Sequence, residues 1–131
     1  WFAVVPTDSP NGLVGVTTAM PQDSAGVVFR FQDPQNYWSY TASPSTFSSV
    51  VRLILRGLVA REQVVPGRVP TSGSQIEVRF DGNWIDVRLD GNRVVGLYDP
   101  NLSSATSVGL VAGGLVAPNA RFDDFYALSD D

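Results

Sequence analysis

Two carboxylates stand side by side in "RFDDFYAL", at Asp123 and Asp124, and two further pairs, Glu77 with Asp81 and Asp86 with Asp90, lie in or beside short apolar runs. Adjacent acids at a strand bulge can hold Ca2+ together with backbone carbonyls. Acids of the same parity project from one strand face, as acid–base hydrolysis of a glycosidic bond requires. A third grouping is the polar turn "DPQN", which runs into Tyr37, Trp38 and Tyr40. Aromatic rings flanked by amide, carboxylate and guanidinium groups can stack on a sugar ring and bond its hydroxyls. Other chemistry is narrowed by composition, because the sequence has no His, no Cys and no Lys. That removes the Ser-His-Asp triad, thiol nucleophiles, Schiff-base chemistry and the common zinc sites together.

The aromatic grouping defines a candidate ligand set. On a strand, Trp38 and Tyr40 share one face while Tyr37 and Ser39 share the other. Arg30 alternates with Phe29 and Phe31 and is expected to face the ligand; Arg52 joins it if its segment is a strand of the same sheet. The candidate ligand-binding residues are therefore Arg30, Asp33, Asn36, Trp38, Tyr40 and Arg52. Core packing is the competing reading for Trp38 and Tyr40, with Tyr37 more core-like than Trp38. The turn needs no ligand, since Pro34 fixes φ, Asp33 is pushed toward extended backbone and Asn36 can bond its own backbone. Asp123 and Asp124 form the candidate metal site, with Ca2+ as the one cofactor implied. Their competing role is side-chain to backbone bonding that locks the last strand, and no EF-hand-like loop is present.

The elements that must position these residues read as strands. A chain of 131 residues is one domain, residues 1–131, large enough to bury a core without disulfides. Its formal charge is −4 and all nine cations are Arg, with no basic cluster, which argues against a nucleic-acid or anionic-membrane partner. No apolar stretch approaches the roughly 20 residues of a membrane span. The opening "WFAVV" lacks Met, so the N-terminus is expected to arise by processing or excision from a longer chain. Short apolar runs separated by Gly, Pro, Asn, Asp and Ser predict an all-β domain. The spacing predicts strands over 13–20, 26–31, 37–42, 50–58, 74–80, 84–89, 93–99, 107–113 and 121–128, with "DPQN", "DGN" (twice) and "APNA" among the turns. The run over 50–58 could also form a short amphipathic helix behind a Ser cap; its β-branched residues favour strand.

Register is best determined in "QIEVRFDGNWIDVRLDGNRVVGLYD". A four-residue loop from Asp81 to Trp84 sets Phe80 opposite Ile85, Val78 opposite Val87 and Ile76 opposite Leu89, with every apolar side chain on one face. The same register places Arg79 opposite Asp86 and Glu77 opposite Arg88, matching charges on the other face. In the next hairpin, parity sets Leu89 opposite Val94.

Taken in order, "AGVVFRFQDPQNYWSY", the meander above, "SVGLVAGG" and "ARFDDFYAL" resemble the concanavalin A-like jelly roll, in particular its laminin-G-like group of bacterial carbohydrate-binding and phage tail modules. The resemblance runs from about Ala25 to Leu128; Trp1 to Asp23 show no clear opening strand. It implies a two-sheet antiparallel sandwich. It also implies a non-catalytic recognition module on a secreted or virion-surface protein, binding glycans or a cell surface without entering the membrane. The alternative is a structural or decoration domain contacting other subunits of an assembly through Trp1, Phe2 and Phe47. A third reading is a glycosidase, since glucanases of this superfold carry carboxylates at alternate strand positions; here Glu77 and Asp86 are matched by Arg88 and Arg79. The "FR-x-x-D-x-x-NYY" look of one keto-glycoside hydrolase group is shared as well, without a catalytic set to support it.

Overall fold

Alternating apolar and polar residues on successive strands produce two sheets with one dry face each. The computed structural model describes residues 1–113 and 121–129; the predicted turn "APNA" at 117–120 lies outside the described residues. The strands are β1 (Phe2–Pro6), β2 (Gly12–Met20), β3 (Ala25–Asp33), β4 (Asn36–Ser43), β5 (Ser48–Leu55), β6 (Leu58–Pro66), β7 (Gln75–Asp81), β8 (Trp84–Leu89), β9 (Asn92–Tyr98), β10 (Ser107–Ala112) and β11 (Arg121–Ser129). They form a six-stranded sheet in the order β1-β10-β3-β4-β5-β6 and a five-stranded sheet in the order β11-β2-β7-β8-β9. The core lies between them, built from residues such as Val14, Val27, Phe29, Trp38, Tyr40, Leu53, Ile76, Val78, Ile85 and Val87. The chain is all-β, an antiparallel jelly-roll sandwich.

The meander register holds across all five predicted pairs of β7 and β8, from Ile76 opposite Leu89 to Phe80 opposite Ile85. Three other expectations are corrected. Leu89 lies opposite Asn92, not Val94, with a register shift between Val87 and Arg88. Asp90 and Gly91 both have positive φ and make a two-residue loop of the kind that matches strand twist. The segment over 50–58 is a hairpin, not a single strand. Arg56 and Gly57 turn it with φ of 53° and 77°, sending "LVAREQVVP" back as β6. An opening strand is also present: β1 pairs with β10 as an edge of the six-stranded sheet.

One irregularity decides which side chains are available to a ligand. Arg30 has φ 47°, and the β3–β4 register breaks between Phe29 and Asp33. Such a bulge leaves two successive residues on one side of the strand. Phe29 and Arg30 consequently both point inward, and Phe31 turns outward to pack with Val28 and Val111 on the opposite face.

Candidate functional site

The sequence-predicted ligand set is divided by the fold. Trp38 and Tyr40 are fully buried in the inter-sheet core. The Trp38 ring stacks 6.1 Å from Phe29 and its Nε1 donates to the Asn101 carbonyl at 3.1 Å, while the Tyr40 hydroxyl donates to Ser49 Oγ at 2.9 Å. They are core residues, because Trp38 pairs with Phe29 on the inward side of the bulge. Tyr37, expected inside, lies on the outer face. Arg30, expected outside, is buried beside the Phe80 ring and donates to the Gly82 carbonyl. Asp33 accepts from the Gln35 amide at 2.8 Å and from Asn36 Nδ2, and Asn36 Oδ1 accepts from the Arg56 amide at 3.0 Å. The "DPQN" turn is thus satisfied by its own groups and by the next hairpin. The backbone bond from Gln35, followed by the side-chain bond from Asn36, holds the Asp33 carboxyl below its ordinary pKa.

Arg52 remains in a ligand-accessible place. It lies on the outer face of the six-stranded sheet, opposite Glu62 in register, and its Nε bonds Glu62 Oε2 at 2.7 Å. A depression of about 280 Å³ opens beside this pair, with Tyr37, Ser39, Thr41 and Ile54 among its lining. Ser39 and Thr41 are small, which keeps the middle of the sheet low. Both are buried in the floor of the depression, at 5% and 6% exposure, and their hydroxyls make no side-chain hydrogen bond among the described residues, so a group reaching the floor can pair with them. At one side Tyr37 packs against Phe2 and Phe31, with ring centroids 5.1 and 5.8 Å away. Burial raises the Tyr37 pKa and the Arg52 charge opposes that rise. The trough therefore offers a charged donor, a charged acceptor, two hydroxyls and an aromatic wall. Sequence reasoning missed Glu62 because β6 was not recognised. It placed Tyr37 and Ser39 on the face opposite Trp38 and Tyr40 and took the Trp38 face for the ligand; the polarity of Ser39 and Thr41 was the signal for the outer face.

Of the strand carboxylates, Glu77, Asp86 and Asp90 are otherwise engaged. Glu77 accepts from Arg79 and from the Tyr126 hydroxyl, both at 2.8 Å, and Asp86 accepts from Arg88 at 3.0 Å and Arg93 at 2.7 Å. The ion pairs run along the strand and to β9, although Arg79 and Asp86 stand opposite each other as predicted. Asp90 accepts from the Gln75 amide. Asp123 and Asp124 are exposed on edge strand β11 at a bulge, where Asp124 has φ 53°. No cluster of three or more His, Cys, Asp or Glu side chains gathers among the described residues.

No family model and no curated protein matches the sequence. Solved structures do share the fold. A carbohydrate-binding module, CBM66 from Bacillus subtilis, aligns with a TM-score of 0.70 at 15% identity, over 97% of this chain and 78% of that one. A doubly substituted human galectin-16 gives 0.74 at 11% identity over 98% and 95%. Chicken galectin 2 gives 0.69 at 12% identity over 95% and 96%. The chain therefore has the concanavalin A-like jelly-roll sandwich.

Proposed function

We propose that the domain is a non-catalytic glycan-recognition module whose site is the outer face of the six-stranded sheet. The observation that carries this reading is the trough of Tyr37, Ser39, Thr41, Arg52 and Glu62, in which polar groups without protein partners flank a fixed ion pair and an aromatic wall. Pre-ordered donors and acceptors beside a ring are the means by which shallow sites hold sugars. The fold supports the same reading, since the aligned structures are a carbohydrate-binding module and galectins. Recognition of surface glycans implies work outside the cell or on a virion surface, and a fold without Cys is indifferent to an oxidising medium.

A glycan-array screen followed by titration calorimetry tests the reading. Arg52→Ala is expected to weaken a bound glycan about ten- to hundredfold, the worth of hydrogen bonds from a charged donor, with an unchanged circular dichroism spectrum. A wild-type domain that binds no glycan, or an Arg52→Ala variant that binds undiminished, would overturn it.

A second reading, contact with neighbouring subunits of an assembly, is favoured by edge strand β6, where Leu58, Val59 and Val64 are exposed. Phe47 and Trp1 are exposed as well, whereas Phe2 is partly covered by Phe31 and Tyr37. Exposed edges of this kind are templates for association. Light scattering across a concentration series would show it as a self-associated species that Val59→Lys dissolves.

A further inference from the structure

The opposite face of the sandwich carries a second aromatic platform. Trp84 and Tyr98 are paired across β8 and β9 with ring centroids 6.5 Å apart, and they are 40% and 67% exposed. Trp84 lies over Gly96, where an added Cβ would approach its Cζ2 to 3.3 Å, so the absent side chain lets the indole lie down on the sheet. The Arg93 guanidinium flanks the ring 5.8 Å from its centroid and is held by Asp86.

Beside this platform is a depression of about 450 Å³, larger than the trough on the other face. It is lined by Leu13, Arg79, Asp81, Trp84, Asp86 and Leu128 among others. Arg79 uses Nε on Glu77, and its terminal nitrogens have no partner among the described residues. The Asp81 carboxylate likewise makes no hydrogen bond or ion pair there. Around the Trp84 platform, on β7, β8 and β9, charge is balanced, with Arg79, Arg88 and Arg93 set against Glu77, Asp81 and Asp86. A platform with balanced charges around it gives little net attraction to an anion or a cation, whereas a ring with idle donors and an idle acceptor beside it suits a neutral polyhydroxylated ligand.

We propose that the outer face of the five-stranded sheet is a second saccharide site, with Trp84 as its stacking ring and Arg79 and Asp81 as its hydrogen-bonding groups. The two sites point away from each other, so the domain would bridge two glycan chains and gain avidity on a dense surface. This site rests on its own residues and stands or falls apart from the one at Arg52.

The test is 1H–15N NMR titration of the whole domain with methyl glycosides of glucose, galactose, mannose and fructose. The indole N–H of Trp84 reports this face, and the amides of Ser39, Thr41 and Arg52 report the other. Saturable shifts at Trp84, Arg79 and Asp81 that persist in Arg52→Ala are expected. Trp84→Ala should weaken binding, read at the Arg79 and Asp81 amides, about tenfold or more, the loss of one good ring contact, and Asp81→Asn should weaken it without touching the platform. Shifts at Trp84 with none at Ser39, Thr41 and Arg52 would overturn the first face and leave this one standing. If no glycoside moves Trp84, or if Arg52→Ala abolishes its shifts, the second site does not exist.

Discussion

The Arg30 guanidinium lies 5.6 Å from the centroid of the Phe80 ring, reaching from β3 in one sheet to β7 in the other. One nitrogen donates to the Gly82 carbonyl, while Nε and Nη1 face no acceptor among the described residues. Burial pulls its pKa down and the charges of Asp81 and Asp99 oppose that fall. A buried cation with idle donors is costly, and an apolar side chain of similar length often serves the same space better. Arg30→Met is expected to match or exceed wild-type stability, by up to about 2 kcal/mol in urea denaturation. Arg30→Ala, which leaves a cavity, is expected to cost about 2 kcal/mol or more. A marked loss in Arg30→Met would show that the Gly82 bond and ring contact outweigh the desolvation.

Trp38 fills the core and donates to the Asn101 carbonyl at 3.1 Å, tying β4 to the loop after β9. Trp38→Phe removes both volume and donor and is expected to cost about 2–3 kcal/mol in chemical denaturation. Saccharide binding by the folded variant should not change. Lost binding at unchanged fold would put the ring in contact with ligand after all.

These two residues show what the sequence could and could not tell. Between β7 and β8, turn chemistry and two-residue alternation agree, so one register satisfies both faces and is legible without coordinates. At Arg30 a single left-handed residue inverts the parity of the strand beyond it, and no pattern in "GVVFRF" announces it. The inversion turns Arg30 inward and Phe31 outward to meet Tyr37, whereas Trp38 and Tyr40 point inward because they pair with Phe29 and Val27, which precede it. Strand β6 was illegible for another reason. It is an exposed edge, so its residues obey no inside–outside alternation, and Glu62 went unseen with it. The odd spacing of Phe122 and Phe125 allows either a bulge at Asp123 and Asp124 or a strand covered on both faces, and β11 does break register there.

Acid should loosen the five-stranded sheet. Burial works to raise the Asp86 pKa, yet the bonds and charges of Arg93 and Arg88 outweigh it and hold the carboxyl below 3.8. Glu77 is held below 4.5 in the same way by Arg79 and Tyr126. A folded pKa below the unfolded one means that the unfolded chain takes up protons first on acidification. The stability these groups contribute is then complete above about pH 5 and is lost as pH falls through their folded values. Urea midpoints measured between neutral pH and pH 3 should fall along that limb, and Asp86→Asn should flatten it while lowering the neutral midpoint. A limb unchanged in Asp86→Asn would assign the acid sensitivity elsewhere.

Tyr126 lies across Gly15, and its hydroxyl donates to Glu77 Oε2 at 2.8 Å while accepting from Gln75 at 3.3 Å. A methyl group at Gly15 would occupy the space of that ring. Gly15→Ala is therefore expected to destabilise by about 1–3 kcal/mol through overpacking, and Tyr126→Phe by about 1 kcal/mol through the lost bond. If the Tyr126 ring is what the methyl group meets, the double variant Gly15→Ala with Tyr126→Ala will be no less stable than Tyr126→Ala alone in denaturation; a further loss would put the clash elsewhere.

Glu62 should act on binding by holding Arg52 in place. The pair is half exposed, and such pairs add at most about 1 kcal/mol to stability. Its larger effect is on the ligand, because an ordered guanidinium loses less rotamer freedom when a saccharide binds. Glu62→Gln keeps an acceptor oxygen but removes the charge that fixes Arg52. It is expected to leave the unfolding midpoint nearly unchanged and to weaken a glycan bound on this face roughly two- to tenfold, less than Arg52→Ala does. Calorimetry on the single and double variants separates the possibilities. If Glu62 only positions Arg52, adding Glu62→Gln to Arg52→Ala costs nothing further; an additive loss means that the carboxylate bonds the ligand itself.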